Sequence, residues 1–401
     1  MKQIHGRSFS ALFSVLVLLI IGAGCAPTST EVVDSEDGSE SFRAEPQPVA
    51  EVEVQTLEIG AVAPDFRLPG ADGRLYELAD FDDSKVLTII FTCNHCPTAQ
   101  AYEERIKGVA ADYKDRSVAV VAISPNSPLG LLLEELGYSD MGDTYEDNQI
   151  RARDHAFNFP YLYDGDDQQV SIRYGPAATP HAFVFDAERK LRYVGRLDGS
   201  EKPGTANAED LRQAIDAILA GGQVENPVTK SFGCSTKWAW KLEWKEKINQ
   251  EWSEMPVTLE DIDESGIKDL IRNDSEKLRL INVWATWCGP CVIEFPELID
   301  INRMYKGRDF EFVSLSADSL ENREDVLKFL EDKESAVTNY IFDKGDPYAL
   351  IEAIDPDWNG ALPYTILVEP GGKTVYAKQG MIDPLDLKRI IVDHPMIGRY
   401  Y

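Results

Sequence analysis

The chain has 401 residues, 43% of them hydrophobic, which is enough for two or three packed domains and too apolar for a disordered chain. With 69 Asp and Glu against 40 Lys and Arg, the formal net charge of −29 argues against nucleic acid as a partner and against a basic membrane-surface patch.

Residues 1–25 read as an export signal. Lys2 and Arg7 precede an apolar run over residues 9–21, and the small residues Gly22-Ala-Gly-Cys25 follow. A cysteine placed so resembles a bacterial lipoprotein site, at which Cys25 becomes the lipidated N-terminus, although Gly22 stands where Leu or Val is usual. An uncleaved membrane anchor and ordinary cleavage with a spare cysteine are the other readings. All three export the protein to the periplasm or cell envelope, where disulfides persist. Residues 26–55 carry eight acids against the single Arg43 and read as a self-repelling flexible linker.

A first domain is expected over 56–235. Val86–Phe91 is β-branched and aromatic, a buried strand, and it runs into Thr92-Cys-Asn-His-Cys-Pro97 and then a helix bearing Tyr102 and Ile106. Val118–Ser124 is another strand, and the acidic, weakly patterned residues 140–158 read as surface loop and helix. The run Gly175-Pro-Ala-Ala-Thr-Pro-His-Ala-Phe-Val-Phe185 gives a further strand, and residues 189–195 and 208–219 close the unit as strand and helix. A connecting helix over 236–253 follows, on which Trp240, Trp244, Ile248 and Trp252 recur every four residues. That stripe is expected to pack on one or both domains; its balanced charge weakens a membrane-interface reading.

The second domain, 254–401, is built on Leu278–Trp284, a short aliphatic strand that ends in Trp287-Cys-Gly-Pro-Cys291. Pro290 suits a first helical turn, which places Cys288 at a helix N-terminus, where free N–H groups and the macrodipole stabilise a thiolate.

Trp287, Cys288, Gly289, Pro290 and Cys291 together resemble the active site of the thioredoxin superfamily. Gly60-Ala-Val-Ala-Pro-Asp-Phe66 resembles the opening of its redoxin and peroxiredoxin-like domains, and the second domain is similar to TlpA-like reductases. The resemblance implies an α/β fold repeated in tandem, two central mixed sheets flanked by helices, each with an insertion between the cysteine helix and a cis-proline strand. It makes Pro180 and Pro363 the cis prolines, with Thr179 and Leu362 as edges that hold a partner's backbone. Cys288 and Cys93 become the nucleophiles, Cys291 and Cys96 the resolving thiols, and Trp287 a cover for the site. Asn282 stands where thioredoxin has a buried acid, leaving Glu294 as a candidate proton acceptor or merely a solvated charge.

The implied function is thiol–disulfide oxidoreduction with protein thiols and disulfides of the envelope, fed by an upstream electron donor, with no cofactor. Gly-Pro between cysteines belongs to reducing members near about −270 mV, whereas a histidine before the second cysteine, here His95, belongs to oxidising ones near about −120 mV. The second domain is therefore expected to be the more reducing. Two alternatives concern the first domain. Cys93, Cys96, His95 and His181 offer soft ligands for copper or zinc. A thiol peroxidase is disfavoured, because Thr92 adjoins Cys93 and the proline of the peroxidatic frame is missing. Cysteine arithmetic leaves Cys234 over, as an inert buried thiol, a relay for the first pair, or a site of partner exchange.

Overall fold

The computed structural model describes residues 45–342 and 347–399, together with the backbone of Val33–Asp34 and Glu40–Ser41. Those two short strands pair antiparallel within a unit spanning Met1–Arg43. The export signal and Cys25 lie outside the described residues. No helix among the described residues is long and apolar enough to cross a membrane.

Ala44–Tyr401 forms one compact unit built on two sheets. The expected linker is tied down earlier than its composition suggests. Gln47 N–H donates to the Asp166 carbonyl at 2.8 Å, and the Thr56 hydroxyl donates to the Gly175 carbonyl at 2.6 Å.

The first half contains β1 (Arg67–Pro69), β2 (Leu75–Glu77), β3 (Val86–Phe91), α1 (Pro97–Tyr113), β4 (Val118–Ser124), α2 (Tyr145–Asp154), β5 (Tyr161–Tyr163), α3 (Gln169–Tyr174), β6 (His181–Phe185), β7 (Leu191–Gly195) and α4 (Glu209–Leu219). Its five-stranded sheet runs β5-β4-β3-β6-β7, with β3–β4 and β4–β5 parallel and β3–β6 and β6–β7 antiparallel. All six residues of β3 are buried, as expected of a central strand covered on both faces.

After α5 (Leu242–Ser253), the second half repeats the plan with β8 (Glu260–Ile262), α6 (Glu264–Arg272), β9 (Leu278–Trp284), α7 (Gly289–Tyr305), β10 (Phe310–Ser316), α8 (Arg323–Asp332), β11 (Thr338–Phe342), α9 (Pro347–Ile354), β12 (Tyr364–Val368), β13 (Thr374–Gln379) and α10 (Pro384–Asp393). Six strands run β8-β11-β10-β9-β12-β13. Again the central strand, β9, has a parallel neighbour on one side and an antiparallel one on the other. In both halves this order brings the cysteine loop, at the end of the central strand, beside the start of the proline-led strand.

Residues 140–158 do form the expected loop and helix, but only one side of it is surface: Asp140, Met141, Asp143, Tyr145, Asn148 and Arg151 are buried, and the residues just before them reach into the other half. Leu131 and Leu136 enter the core that Leu298, Met304 and Tyr305 of α7 build in the second half. The Tyr305 hydroxyl donates to the Ser139 carbonyl at 2.7 Å. Asp140, 2% exposed, pairs with Arg389 at 3.1 Å and Arg399 at 2.9 Å, with Arg151 at 3.7 Å. Burial alone raises such a carboxyl, but the adjoining Arg399, Arg151 and Arg389 outweigh it and hold Asp140 below its ordinary range. Charge neutralisation across the two halves is thus what lets Asp140 go inside. Asp140→Ala is expected to cost about 3 kcal/mol and to split one calorimetric transition into two, because it removes the buried carboxylate that Arg389 and Arg399 share across the halves, while Arg151 keeps Glu103 at 2.8 Å. A single, unshifted transition would count against this role.

The connecting helix divides its aromatic stripe. Trp252 is buried beneath Arg303 and Lys306, its indole N–H donating to the Glu334 carbonyl at 3.0 Å. Trp244 stays 52% exposed while Trp240 and Ile248 are half-buried, so the expected packing holds for part of the stripe.

Candidate functional site

In the second half, β9 delivers the loop and Asp318 fixes it, accepting from Thr286 N–H at 2.9 Å and the Thr286 hydroxyl at 2.7 Å. Cys288 is the N-cap of α7, and its sulfur accepts the Cys291 N–H at 3.3 Å. The two cysteines are joined as a disulfide, with Cα atoms 5.3 Å apart. Cys291 is fully buried and Cys288 6% exposed. Trp287, expected to cover the site, stands 68% exposed. Gly289 has open space where a Cβ would sit, so no steric demand explains it. The Leu362–Pro363 bond is cis, as the resemblance implies, and leads into β12 beside β9.

Glu294 is not a solvated charge. It lies one turn beyond Cys291 and is 3% exposed, with one oxygen accepting from the Asn282 side-chain amide at 3.1 Å and the other from Ile382 N–H at 2.9 Å. Burial pushes its pKa up, only partly offset by those two hydrogen bonds. A carboxylate raised in this way is a better proton acceptor than a solvated one. Glu294→Gln, which keeps an acceptor for Asn282, is expected to slow resolution at Cys291 by about 10²-fold. Stopped-flow Trp287 fluorescence would measure it, and an unchanged rate would remove Glu294 from the chemistry.

The first half differs in where its helix begins. Pro97 is the first residue of α1 and Cys96 its N-cap, so the sulfur at the helix N-terminus is the second cysteine rather than the first. The sulfur at the helix N-terminus is thus not Cys93, to which the resemblance gives the nucleophile's role. Burial and the hydrogen bond to Cys96 push the Cys93 thiol well up. Burial also opposes the Cys96 thiolate, but hydrogen bonds from Cys234 and Cys93, the charge of His95 and the Ala99 N–H together bring it well below an ordinary thiol. Thr179, joined to Pro180 by a cis bond, sits over both sulfurs: its hydroxyl lies 3.1 Å from Cys93 Sγ and its carbonyl 3.3 Å from Cys96 Sγ.

The insertion clamps this loop from behind. Asp143, buried, accepts from His95 Nδ1 at 2.5 Å, Asn126 Nδ2 at 2.7 Å, and the N–H groups of Asn94 and His95 at 2.7 and 3.1 Å. Burial disfavours charge on both members of the pair. The Asp143 charge nonetheless raises His95, and His95 with the three other donors lowers Asp143. Sequence reasoning missed Asp143. The spacing of Thr144 and Asp147, a capping box at the start of α2, marks a helix beginning there but does not say what the preceding aspartate faces.

Of the four residues offered as metal ligands, Cys93 and His95 come within ligating reach of Asp143, all three donor atoms lying within 4.8 Å of one another, without Cys96 or His181. His181 instead accepts from Ala177 N–H, and burial pushes it down to about 4. Asp143 already takes four hydrogen bonds, two of them from His95, so the arrangement fits a buried ion pair better than an open ligand set.

Cys234 is drawn into the same place. It packs against Cys93, Cys96 and Ala99, and its N–H donates to Cys96 Sγ at 3.3 Å.

Residues 59–194 match the AhpC/TSA family and residues 257–389 the Redoxin family. The chain is 26% identical over 145 residues to thiol-disulfide oxidoreductase ResA of Oceanobacillus iheyensis, a match covering 34% of this chain and 60% of that protein. It is 26% identical over 168 residues to ResA of Geobacillus thermodenitrificans, covering 41% and 81%. Among solved structures, a hypothetical protein from Sinorhizobium meliloti 1021 is 36% identical, with 47% of this chain and 98% of that one covered and a TM-score of 0.41.

Proposed function

Because this chain belongs to the thioredoxin superfamily through both of its halves, an AhpC/TSA-type domain followed by a redoxin-type one, we propose that it is a two-site thiol–disulfide oxidoreductase acting on protein partners. The observation that carries the reading is the Cys288–Cys291 disulfide closed across the N-terminus of α7, with Cys288 as its cap. The reduced Cys288 thiolate attacks a partner's disulfide, one partner sulfur leaves as thiolate, and a mixed disulfide forms. Cys291, its proton passing to Glu294, then attacks Cys288 Sγ, closes the internal disulfide and frees the partner as a dithiol. Leu362 and Pro363 hold the partner's backbone beside Cys288.

In the first domain, 56–235, Cys96 is the thiolate and Cys93 its disulfide mate, with His95 and Asp143 setting the potential. The site works in the cell envelope, where an electron donor keeps the second pair reduced. Export and lipidation at Cys25 are part of this reading, supported by the N-terminal sequence.

Redox titration of full-length chains in which one pair at a time is changed to serine tests the assignment. The Cys93–Cys96 pair is expected at the less negative potential, because a neighbouring imidazolium stabilises the reduced thiolate. The reverse order would overturn the division of roles, and two pairs that exchange with no protein disulfide would overturn the function.

A further inference from the structure

The first cysteine pair is closed off by the chain itself. Cys93 is 3% exposed and Cys96 fully buried, and Thr179, the edge assigned to a partner's backbone, is already bridged: its N–H donates to the Cys234 carbonyl at 2.9 Å. Gly233 makes this approach possible. Its φ is +128°, and a Cβ there would lie 2.0 Å from the Thr179 carbonyl oxygen.

The residues that follow hold the segment down. The Thr236 hydroxyl donates to the Pro176 carbonyl at 2.9 Å, and Lys237 N–H donates to Asn126 Oδ1 at 2.8 Å, on the same side chain that supports Asp143. A strand of this chain therefore lies where a substrate strand would lie, with its cysteine against Cys96. Unlike the buried pair, Cys234 keeps partial access to solvent.

Resting on the functional reading above, we propose that Cys234 is the third thiol of the first site, which takes the disulfide from the Cys93–Cys96 pair and presents it to an outside protein dithiol. Starting from a closed Cys93–Cys96 bond, Cys234 loses its proton and its sulfur attacks Cys96 Sγ. The Cys96–Cys234 bond forms, the Cys93–Cys96 bond breaks, and Cys93 leaves as a thiolate that takes up a proton. No electrons are gained or lost in this step. A partner dithiol then attacks Cys234, forms its own disulfide with its second sulfur and returns Cys96 and Cys234 as thiols; the two electrons come from that dithiol. The pair is closed again by exchange with a protein disulfide. In the reduced site a hydrogen bond to Cys96 is the largest cause holding the Cys234 thiol up. That bond is lost once Cys96 is oxidised, which removes the largest cause and leaves burial as the largest that remains.

The test uses the full chain carrying Cys288→Ser and Cys291→Ser, so that only the first site reports. With Cys93→Ser added and glutathione disulfide as oxidant, tryptic mass mapping should find residues 86–105 linked to residues 231–237 in most molecules. Recovery of Cys96 only as free thiol or glutathione adduct would overturn the proposal. With Cys93 retained, Cys234→Ser should slow reduction of the closed pair by reduced ribonuclease by about tenfold, and an unchanged rate would overturn it equally. A pair that never closes reversibly in the parent chain would sink the functional reading and this inference together. Reversible closure without the Cys96–Cys234 link would sink this inference alone.

Discussion

Cys288→Ser is expected to abolish protein-disulfide reduction at the second site, lowering the rate by at least about 10³-fold, since a hydroxyl at the same place is no nucleophile at neutral pH. The measurement is insulin reduction by a chain whose Cys93 and Cys96 are already serine, so that the first site contributes nothing. Cys288 caps α7 and only one of its neighbours depends on it, Cys291 N–H, for which a serine oxygen is also an acceptor. The variant should therefore fold as well as its parent, and lost activity would be lost chemistry. Cys291→Ser should behave differently: attack still occurs, the mixed disulfide cannot resolve, and covalent partner complexes accumulate. A Cys288→Ser chain with a tenth of the parent rate or more would refute the assigned nucleophile.

The second large effect is expected at Asp143. Asp143→Asn keeps the shape and most hydrogen bonds but removes the charge that faces His95 across 2.5 Å in a fully buried setting. Without that charge, burial returns the imidazole to its neutral form, and Cys96 loses a neighbouring positive charge. Breaking a buried pair of this kind costs about 3–5 kcal/mol, enough to read in urea unfolding at pH 6.

The pH dependence follows from the two directions. Asp143 is depressed in the fold, so its contribution is present above the ordinary carboxyl value of 3.8 and is lost as pH falls through the folded pKa. His95 is raised, so its contribution is complete below the ordinary imidazole value of 6.5 and is lost as pH rises through the folded pKa. Between those two ordinary values the parent gains the full pair, and Asp143→Asn should remove that plateau while raising the pH at which Cys96 is alkylated. Superimposable stability and alkylation profiles for parent and variant would show that the pair neither stabilises the fold nor tunes the thiol.

Local patterns in the sequence reach a long way here. Val86–Phe91, Val118–Ser124 and Leu278–Trp284 are strands at the expected residues, because short, mainly apolar runs bounded by polar residues have few other fates. Both cis prolines stand where the resemblance implies. The later start of α1 was also written in the chain: a proline favours the first helical positions, and Pro97 follows Cys96 directly whereas Pro290 precedes Cys291.

What sequence could not show depends on contacts between distant residues. Asp143 meets His95 across 48 residues and Thr179 meets Cys234 across 55, and neither pairing leaves a periodic trace. Glu294 looks like an ordinary exposed helical charge until the strand bearing Asn282 and the turn at Ile382 close over it. Asp140 misleads for the same reason, since its carboxylate is neutralised by arginines drawn from α2, α10 and the residues just beyond α10.

The leucines that the insertion lends to the other half's core have a practical consequence for anyone who dissects this molecule. A gene cut between the two family matches would yield a front piece wearing Leu131 and Leu136 on its outside and a rear piece with a bare socket against α7. Such fragments would be prone to precipitate or pair with one another in the test tube. Potentials and rates taken from them would describe damaged proteins, so whole-length chains silenced one pair at a time are the sound material for dividing the labour between the sites.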